Sequence, residues 1–124
     1  MNEKILIVED DAITALDLKY NLEELGYEII GILDKGQDAI DLVFKTTPDI
    51  ILMDIKLKDN ISGSEVANKI APLNIPVIYL TGYIDSDTFE KSNVECLYQY
   101  VTKPYDINRL NQIIKITLKR TKVI

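Results

Sequence analysis

The chain has 124 residues, the size of one ordinary domain, with 47% apolar and 27% charged residues and a formal net charge of −6. This composition excludes a disordered or collagen-like chain, and aliphatic runs of only four to five residues are too short to cross a membrane. The single cysteine and the lack of histidine exclude an internal disulfide, histidine catalysis and a zinc site.

The first residues lead straight into an apolar run without the basic, apolar and small-residue regions of a secretory signal, so we expect a cytoplasmic protein. Residues 1–102 carry eight basic and nineteen acidic side chains, whereas residues 103–124 carry six basic and one acidic. The acidic part argues against direct nucleic-acid binding. The basic part fits the C-terminal end of a solvated helix, and the alternative is contact with an acidic partner.

Five short runs rich in Ile, Val, Leu and Tyr predict β-strands, and they alternate with stretches of helical periodicity. The predicted strands are Lys4–Val8, Glu28–Leu33, Asp49–Asp54, Pro76–Thr81 and Glu95–Val101. Their almost continuous apolar character is typical of a parallel sheet that is covered by helices on both faces. The alternation therefore predicts right-handed crossovers and a single three-layer α/β sandwich over residues 1–124.

Four of the five predicted helices have apolar residues at a spacing of three to four. These residues are Ala12, Ala15, Leu18, Leu22 and Leu25 in the first, Ala39, Ile40, Val43 and Phe44 in the second, and Val66, Ala67, Ile70 and Ala71 in the third. The last helix is expected to carry Ile107, Leu110, Ile113, Ile114 and Leu118 inward. Gly26 fits the end of the first helix, and Ser62 with Glu65 fits a capping box at the start of the third. Asp106 fits the cap of the last helix, and the fourth helix, near Ser86–Asn93, has the weakest pattern.

Ligand sites in open parallel sheets lie outside the carboxyl ends of the strands. The polar residues at these ends are Glu9, Asp10, Asp11, Asp54, Thr81 and Lys103, the last followed by Pro104. Carboxylates in one partly desolvated crevice repel each other, so one must take up a proton or the group must bind a cation. Oxygen ligands favour a hard cation such as Mg²⁺. Two structural alternatives stay open, because acidic residues also cap helices and Lys103 also fits an exposed loop.

Four segments at the predicted strand ends together resemble the receiver domain of two-component response regulators over essentially the whole chain. They are Ile5–Asp11, Asp49–Asp54, Pro76–Gly82 and Tyr100–Pro104. The resemblance implies a flavodoxin-like fold, with a five-stranded parallel sheet in the order 2-1-3-4-5 and five helices. It also implies that a histidine kinase or phosphotransfer protein donates a phosphoryl group to Asp54, by carboxylate nucleophilic chemistry.

The family likeness implies a Mg²⁺ site as well. Asp10 and Asp54 are expected to bind the cation directly, Glu9 to act mainly through bound water, and the backbone carbonyl of Lys56 to supply another oxygen. Asp11, one position beyond the matched acidic pair, is interpreted as a helix-start residue. The loop after Asp54 is one residue longer than is usual in the family and lacks the family's common proline.

The remaining matched residues are expected to respond to the phosphoryl group. Lys103 pairs with the phosphoryl oxygens, Thr81 donates a hydrogen bond to them, and Tyr100 is the switch aromatic whose ring turns inward. The Lys103-Pro104 peptide bond is expected to be cis. The predicted fourth helix, fifth strand and fifth helix form the candidate surface for an output partner or a homodimer. The resemblance implies self-catalysed phosphorylation and dephosphorylation, without turnover of an external substrate.

Three alternatives share part of this pattern. A haloacid-dehalogenase-type phosphohydrolase needs an acid/base aspartate two positions after its nucleophile, where this chain has Lys56. A flavodoxin-like FMN carrier needs a phosphate loop rich in hydroxyls and glycine, where this chain has acidic residues that would repel the phosphate. A receiver-like interaction module that is not phosphorylated would lack one of the acidic, threonine or lysine residues. All of them are present, and this module remains the alternative function.

Overall fold

The computed structural model describes residues 2–54, 57, 59–81, 98–102 and 105–122. In this part of the chain the elements are β1 Lys4–Val8, α1 Ala12–Glu24, β2 Glu28–Leu33, α2 Gly36–Thr46, β3 Ile50–Asp54, α3 Gly63–Ile70, β4 Val77–Thr81, β5 Tyr98–Thr102 and α4 Ile107–Lys122. One turn of 3₁₀ helix, Ala71–Leu73, follows α3. The predicted fourth helix lies outside the described residues, so α4 is the last of the five predicted helices.

The five strands form one parallel sheet in the order β2-β1-β3-β4-β5, which confirms the predicted architecture. The chain order reverses at β1, whose neighbours are β2 and β3. In the register of the sheet Val8 lies opposite Met53, and Asp54 lies opposite Leu80. Because every pairing is parallel, the carboxyl ends of the strands meet at one edge, and the switch in strand order makes that edge the expected ligand site.

Alternate residues of the strands point to opposite faces of the sheet, so the protein has two apolar cores. One core joins the sheet to α1 and α4, and its fully buried strand residues are Ile5, Ile7, Ile50, Leu52 and Ile78. The other joins the sheet to α2 and α3, and its fully buried strand residues are Leu6, Val8, Ile51, Met53 and Tyr79. The observed structure is therefore a three-layer sandwich. No helix in the described ranges is both long and apolar enough to cross a membrane.

Three of the apolar residues at helical spacing do not face the core. Phe44 is 53% exposed, because the neighbouring Val43 faces the sheet and the helix turns the next side chain away from it. Leu25 is 45% exposed because it follows the last turn of α1, and Ala12 is exposed because it begins that helix. The helical spacing of apolar residues therefore includes positions outside the part of each helix that contacts the sheet.

The predicted helix ends are confirmed. The Asp11 carboxylate caps α1, accepting hydrogen bonds from the Ile13 backbone N–H at 3.1 Å and the Thr14 hydroxyl at 2.8 Å. The Ser62 hydroxyl accepts a bond from the backbone N–H of the third residue of α3 at 3.2 Å. Asp106 accepts one from the backbone N–H near the start of α4 at 2.9 Å. Gly26 follows the end of α1 with a φ of +98°, a conformation that side chains disfavour.

Candidate metal centre

Three acidic side chains meet at the carboxyl ends of β1 and β3. Carboxylate oxygens of Glu9, Asp10 and Asp54 lie within 4.8 Å of one another. The sheet causes this proximity, because β1 and β3 are neighbours and Val8 is opposite Met53, so the residues that follow Val8 come beside Asp54. The structure therefore brings together the three carboxylates that the sequence analysis grouped.

Glu9 is the most buried member of the group, with 2% of its surface exposed. Its backbone N–H donates to the Leu33 carbonyl at 2.8 Å, and its carboxylate accepts a hydrogen bond from the Asp11 N–H at 3.2 Å. Asp54 is half-buried and Asp10 is exposed. A buried carboxylate beside two others carries both a desolvation cost and a repulsion cost, and a bound cation offsets both.

The donor set fits Mg²⁺. All three side chains offer oxygen, which hard divalent cations prefer, and the exposed position of Asp10 leaves room for the water ligands that Mg²⁺ retains. Asp11 stands outside the group of three and caps α1 instead. This agrees with its interpretation as a helix-start residue.

For Thr81 and Tyr100 the structure describes the position of the backbone. The remaining predicted site residues lie outside the described part of the chain. Thr81 is the last residue of β4, next to Leu80, which lies opposite Asp54. The Thr81 backbone therefore belongs to the same edge of the sheet as the three carboxylates. Tyr100 lies in β5 opposite Tyr79. Lys56, Lys103 and Pro104 lie outside the described residues, so their roles and the cis peptide bond stay predictions.

Asp59, which lies five positions after Asp54 along the chain, is not among the residues predicted from the sequence. Its carboxylate accepts hydrogen bonds from the backbone N–H groups of Gly36 at 2.9 Å and Gln37 at 3.1 Å, at the start of α2. The cap residue of α2 itself, Lys35, makes no side-chain capping bond. A lysine at the cap position indicates that the first N–H groups of the helix need a hydrogen-bond acceptor from elsewhere in the chain. It does not indicate which residue supplies that acceptor.

These bonds give Asp59 a titration behaviour that can be tested. The Gln37 and Gly36 backbone N–H groups stabilise the carboxylate and hold the pKa of Asp59 below its ordinary value. A carboxyl group with a lowered folded-state pKa stabilises the fold above its unfolded pKa of about 3.9, and this contribution is lost as the pH falls through the folded value. We expect the parent to be more stable than Asp59→Asn at about pH 6, with the difference closing as the pH falls below about 4.

Urea denaturation of both proteins across this pH range measures the difference. Other carboxyl groups titrate in the same range in both proteins, so the comparison cancels their contribution. A stability difference that stays constant down to about pH 3 would contradict the expected role of the Asp59 carboxylate.

A second unpredicted contact joins α1 to the start of α4. The Tyr105 ring packs on the core beneath α1 and α4, and its hydroxyl donates a hydrogen bond to Asp17 at 2.9 Å. Burial, and then the bond to Asp17, raise the pKa of the Tyr105 phenol, so it stays protonated at physiological pH. This hydrogen bond thus fixes the position of the chain two residues after Lys103. No local pattern pairs these two residues, which are 88 positions apart.

The chain is similar in sequence to known signalling proteins. The family model for the response regulator receiver domain matches residues 5–115. The transcriptional regulatory protein PdtaR of Mycobacterium tuberculosis is 34% identical over 122 residues, which are 98% of this chain and 59% of that protein. The sensory transduction protein LytT of Bacillus anthracis is 36% identical over 115 residues, covering 90% of this chain and 46% of that protein.

A solved structure gives the same similarity in three dimensions. The signal receiver domain of a modulated diguanylate cyclase from Desulfovibrio desulfuricans superposes with a TM-score of 0.91 at 33% identity, covering 99% of this chain and 98% of that one. The chain spans only about half to three fifths of the length of the two curated relatives.

Proposed function

Because this chain belongs to the response regulator receiver domain family, we propose that it accepts a phosphoryl group on Asp54 and so carries a signal in a two-component system. The donor is a histidine kinase or a phosphotransfer protein. The observation that carries the proposal is the position of Asp54 at the end of β3, with its carboxylate close to those of Glu9 and Asp10. The names of the two relatives, a transcriptional regulatory protein and a sensory transduction protein, support a signalling role.

In the proposed reaction an oxygen of the Asp54 carboxylate attacks the phosphorus of a phosphohistidine. A P–O bond forms to Asp54 while the P–N bond breaks, and the electron pair of that bond returns to the imidazole nitrogen, which takes up a proton. Water later hydrolyses the acyl phosphate and restores the carboxylate. Such a transfer depends mostly on alignment and charge stabilisation, and β3 supplies alignment because it holds Asp54 between β1 and β4.

Glu9, Asp10 and Asp54 would hold Mg²⁺, with the Lys56 backbone carbonyl as a further ligand. When bound, the cation would offset the negative charge of the carboxylates and of the incoming phosphoryl oxygens. The burial of Glu9 supports this assignment, since a buried carboxylate in an acidic group is stabilised by a positive partner. Lys103 would supply a second positive charge, directed at the phosphoryl oxygens.

The phosphoryl group would then act as a switch. It brings a charge of roughly −1.5 to −2 at neutral pH, and the Thr81 hydroxyl would donate to it while Tyr100 changes the position of its ring. Moving an equilibrium from 1:99 to 99:1 takes about 5.5 kcal/mol of differential stabilisation, which charge-assisted bonds to Thr81 and Lys103 would largely provide. The predicted fourth helix, β5 and α4 would pass the change to an output partner or a second copy, in the cytoplasm.

The test is intact mass spectrometry after incubation with acetyl phosphate, with and without Mg²⁺. We expect one phosphoryl group on the parent in the presence of Mg²⁺ and none on Asp54→Asn, because an amide is not a competent nucleophile here. Asp49→Asn is the matched control. It makes the same change just before β3 at the opposite edge of the sheet, where Asp49 accepts a hydrogen bond from the Lys4 backbone N–H at 2.7 Å.

Two results would contradict the proposal. One is an adduct on Asp54→Asn at the level of the parent. The other is a parent that gains no phosphoryl group either from acetyl phosphate or from a panel of phosphorylated histidine kinases, under conditions that preserve acyl phosphates. That second result would favour an interaction module that is not phosphorylated.

A further inference from the structure

A cleft lies at the amino-terminal edge of the sheet, between the turn after α1 and the second half of α4. Its volume is about 460 Å³, within the range of about 300–1,000 Å³ that is usual for small-molecule sites. Glu3, directly before β1, is one of the residues that line it. Glu9 follows six residues later, so at a rise of about 3.3 Å per residue the cleft lies about 20 Å from the candidate metal centre.

The lining of the cleft is largely apolar. Leu25 and Ile116 both line it and are 45% and 51% exposed, so they present apolar surface to the solvent. Tyr27 is a third lining residue and is buried, and its hydroxyl donates a hydrogen bond to the Asn111 side chain at 2.6 Å. This bond joins the start of β2 to α4 and holds two walls of the cleft in a fixed position. A site whose walls are already fixed loses little conformational entropy when a ligand binds.

The cleft is accessible at the turn after α1. A Cβ atom built on Gly26, which also lines the cleft, would meet no atom of the described residues within 4 Å. The turn is nevertheless well held, because the Gly26 N–H donates to the Glu23 carbonyl at 3.0 Å and the Tyr27 N–H donates to the Leu22 carbonyl at 3.1 Å. A ligand can therefore enter past Gly26 without displacing the backbone.

The charged groups of the cleft favour an anion. Lys115 and Lys119 line it from α4 and are four positions apart, a spacing at which like charges on a helix repel each other. Within the described ranges neither lysine forms an ion pair with a carboxylate. Two ammonium groups and the single carboxylate of Glu3 give the cleft a net positive charge, in a chain whose formal net charge is −6. An anionic group bound at both lysines would relieve their repulsion.

We propose that this cleft binds a small amphipathic carboxylate, that is, a molecule with an apolar chain or ring system and one acidic group. The apolar part would contact Leu25, Tyr27 and Ile116, and the carboxylate would bind to Lys115 and Lys119. The size of the cleft favours a small molecule over a protein segment, because stable protein interfaces bury about 1,200–2,000 Å² in total. The inference does not depend on phosphorylation of Asp54, since the two sites lie at opposite edges of the sheet.

The test is a titration of the ¹⁵N-labelled protein with decanoate, below the concentration at which decanoate forms micelles, followed through the backbone amide signals. We expect saturable binding with a Kd below about 1 mM and the largest shifts at Gly26, Tyr27 and Ile116. Hexanoate should bind at least about tenfold more weakly, because it lacks four of the methylene groups that contact the apolar lining. Decanol, which has the same chain without the charge, should also bind more weakly than decanoate.

Two variants test the two parts of the site. The double variant Lys115→Gln/Lys119→Gln should weaken decanoate binding about three- to tenfold and leave decanol binding unchanged, since it removes only the cations. Lys45→Gln, the same change in the last turn of α2, is its control. Ile116→Glu places a carboxylate in the cleft and should weaken decanoate binding more than about tenfold. Phe44→Glu is its matched control, because Phe44 is 53% exposed and lies on α2.

Four results would overturn the inference. They are no saturable binding of decanoate to the parent, the largest amide shifts away from the cleft, equal decanoate affinities of the parent and the double lysine variant, and a loss of affinity in the two controls as large as in the cleft variants. Sedimentation of the parent gives a further decision. A parent dimer that Ile116→Glu converts to a monomer would also overturn the inference, because a second copy of the chain would then occupy the cleft.

Discussion

Asp10→Asn should weaken Mg²⁺ binding by at least about tenfold and, without Mg²⁺, should raise the melting temperature of the protein. Both effects have the same origin. Oxygens of the Glu9, Asp10 and Asp54 carboxylates lie within 4.8 Å of one another, so removing one charge relieves repulsion in the metal-free protein. The same change removes a ligand and part of the charge that attracts the cation. A residue retained only for stability would not produce opposite effects on stability and on binding.

Differential scanning calorimetry with and without MgCl₂ measures both effects. In the parent, Mg²⁺ at about 100 times its Kd should add about 2.7 kcal/mol to the free energy of unfolding, whereas in Asp10→Asn the same concentration should add much less. Asp11→Asn is the control, since asparagine still caps a helix and Asp11 lies outside the group of three. Equal stabilisation of the parent and Asp10→Asn by Mg²⁺ would contradict the assignment of this residue to the metal centre.

Leu18→Ala should lower the free energy of unfolding by about 2–5 kcal/mol. The Leu18 side chain is completely buried between α1 and the sheet, in the core that includes Ile5 and Ile50. Its truncation removes apolar contacts and leaves a cavity that rigid neighbouring strands cannot fill. Since single domains are stable by only about 5–15 kcal/mol, this one change would use a large fraction of the total stability.

Leu16→Ala is the matched control, because it makes the same change in the same helix at a side chain that is 47% exposed. Its cost should stay below about 1 kcal/mol, since about half of the residue's surface already contacts water. Urea denaturation of the two variants gives both values. Equal losses would mean that α1 packs on the sheet with a different face from the one described.

The local patterns of the sequence were sufficient for most of the secondary structure. Strands of continuous apolar residues, such as Ile50–Met53, have few alternatives to a covered parallel sheet. The caps Asp11, Ser62 and Asp106 were readable because a capping bond joins residues only two or three positions apart. The exposure of helix side chains was harder to predict from the sequence, as Phe44 shows. The helical period gives the direction of each side chain, but only the packing decides how wide the contact with the sheet is.

The candidate metal centre could be predicted only as far as the order of the strands in the sheet could be predicted. The general rule that sites lie at the carboxyl ends of parallel strands selected a wider set that includes Asp11, and the family resemblance singled out Glu9, Asp10 and Asp54 as the acidic ligands. Strand periodicity does not specify that β1 and β3 are neighbours, and the order of the strands was expected from the family resemblance. The sheet then brought the three carboxylates within 4.8 Å of each other.

By itself, the sequence determined the alternation of strands and helices, the identity of the acidic residues and the local caps, because all of these depend on residues near one another in the chain. The tertiary structure alone decided the contacts between distant segments. Asp59 caps α2 from 23 positions away, and Tyr105 bonds to Asp17 across 88 positions. Such pairs leave no periodic or local signal, since the distance between their atoms is set by the packing of whole elements on the sheet.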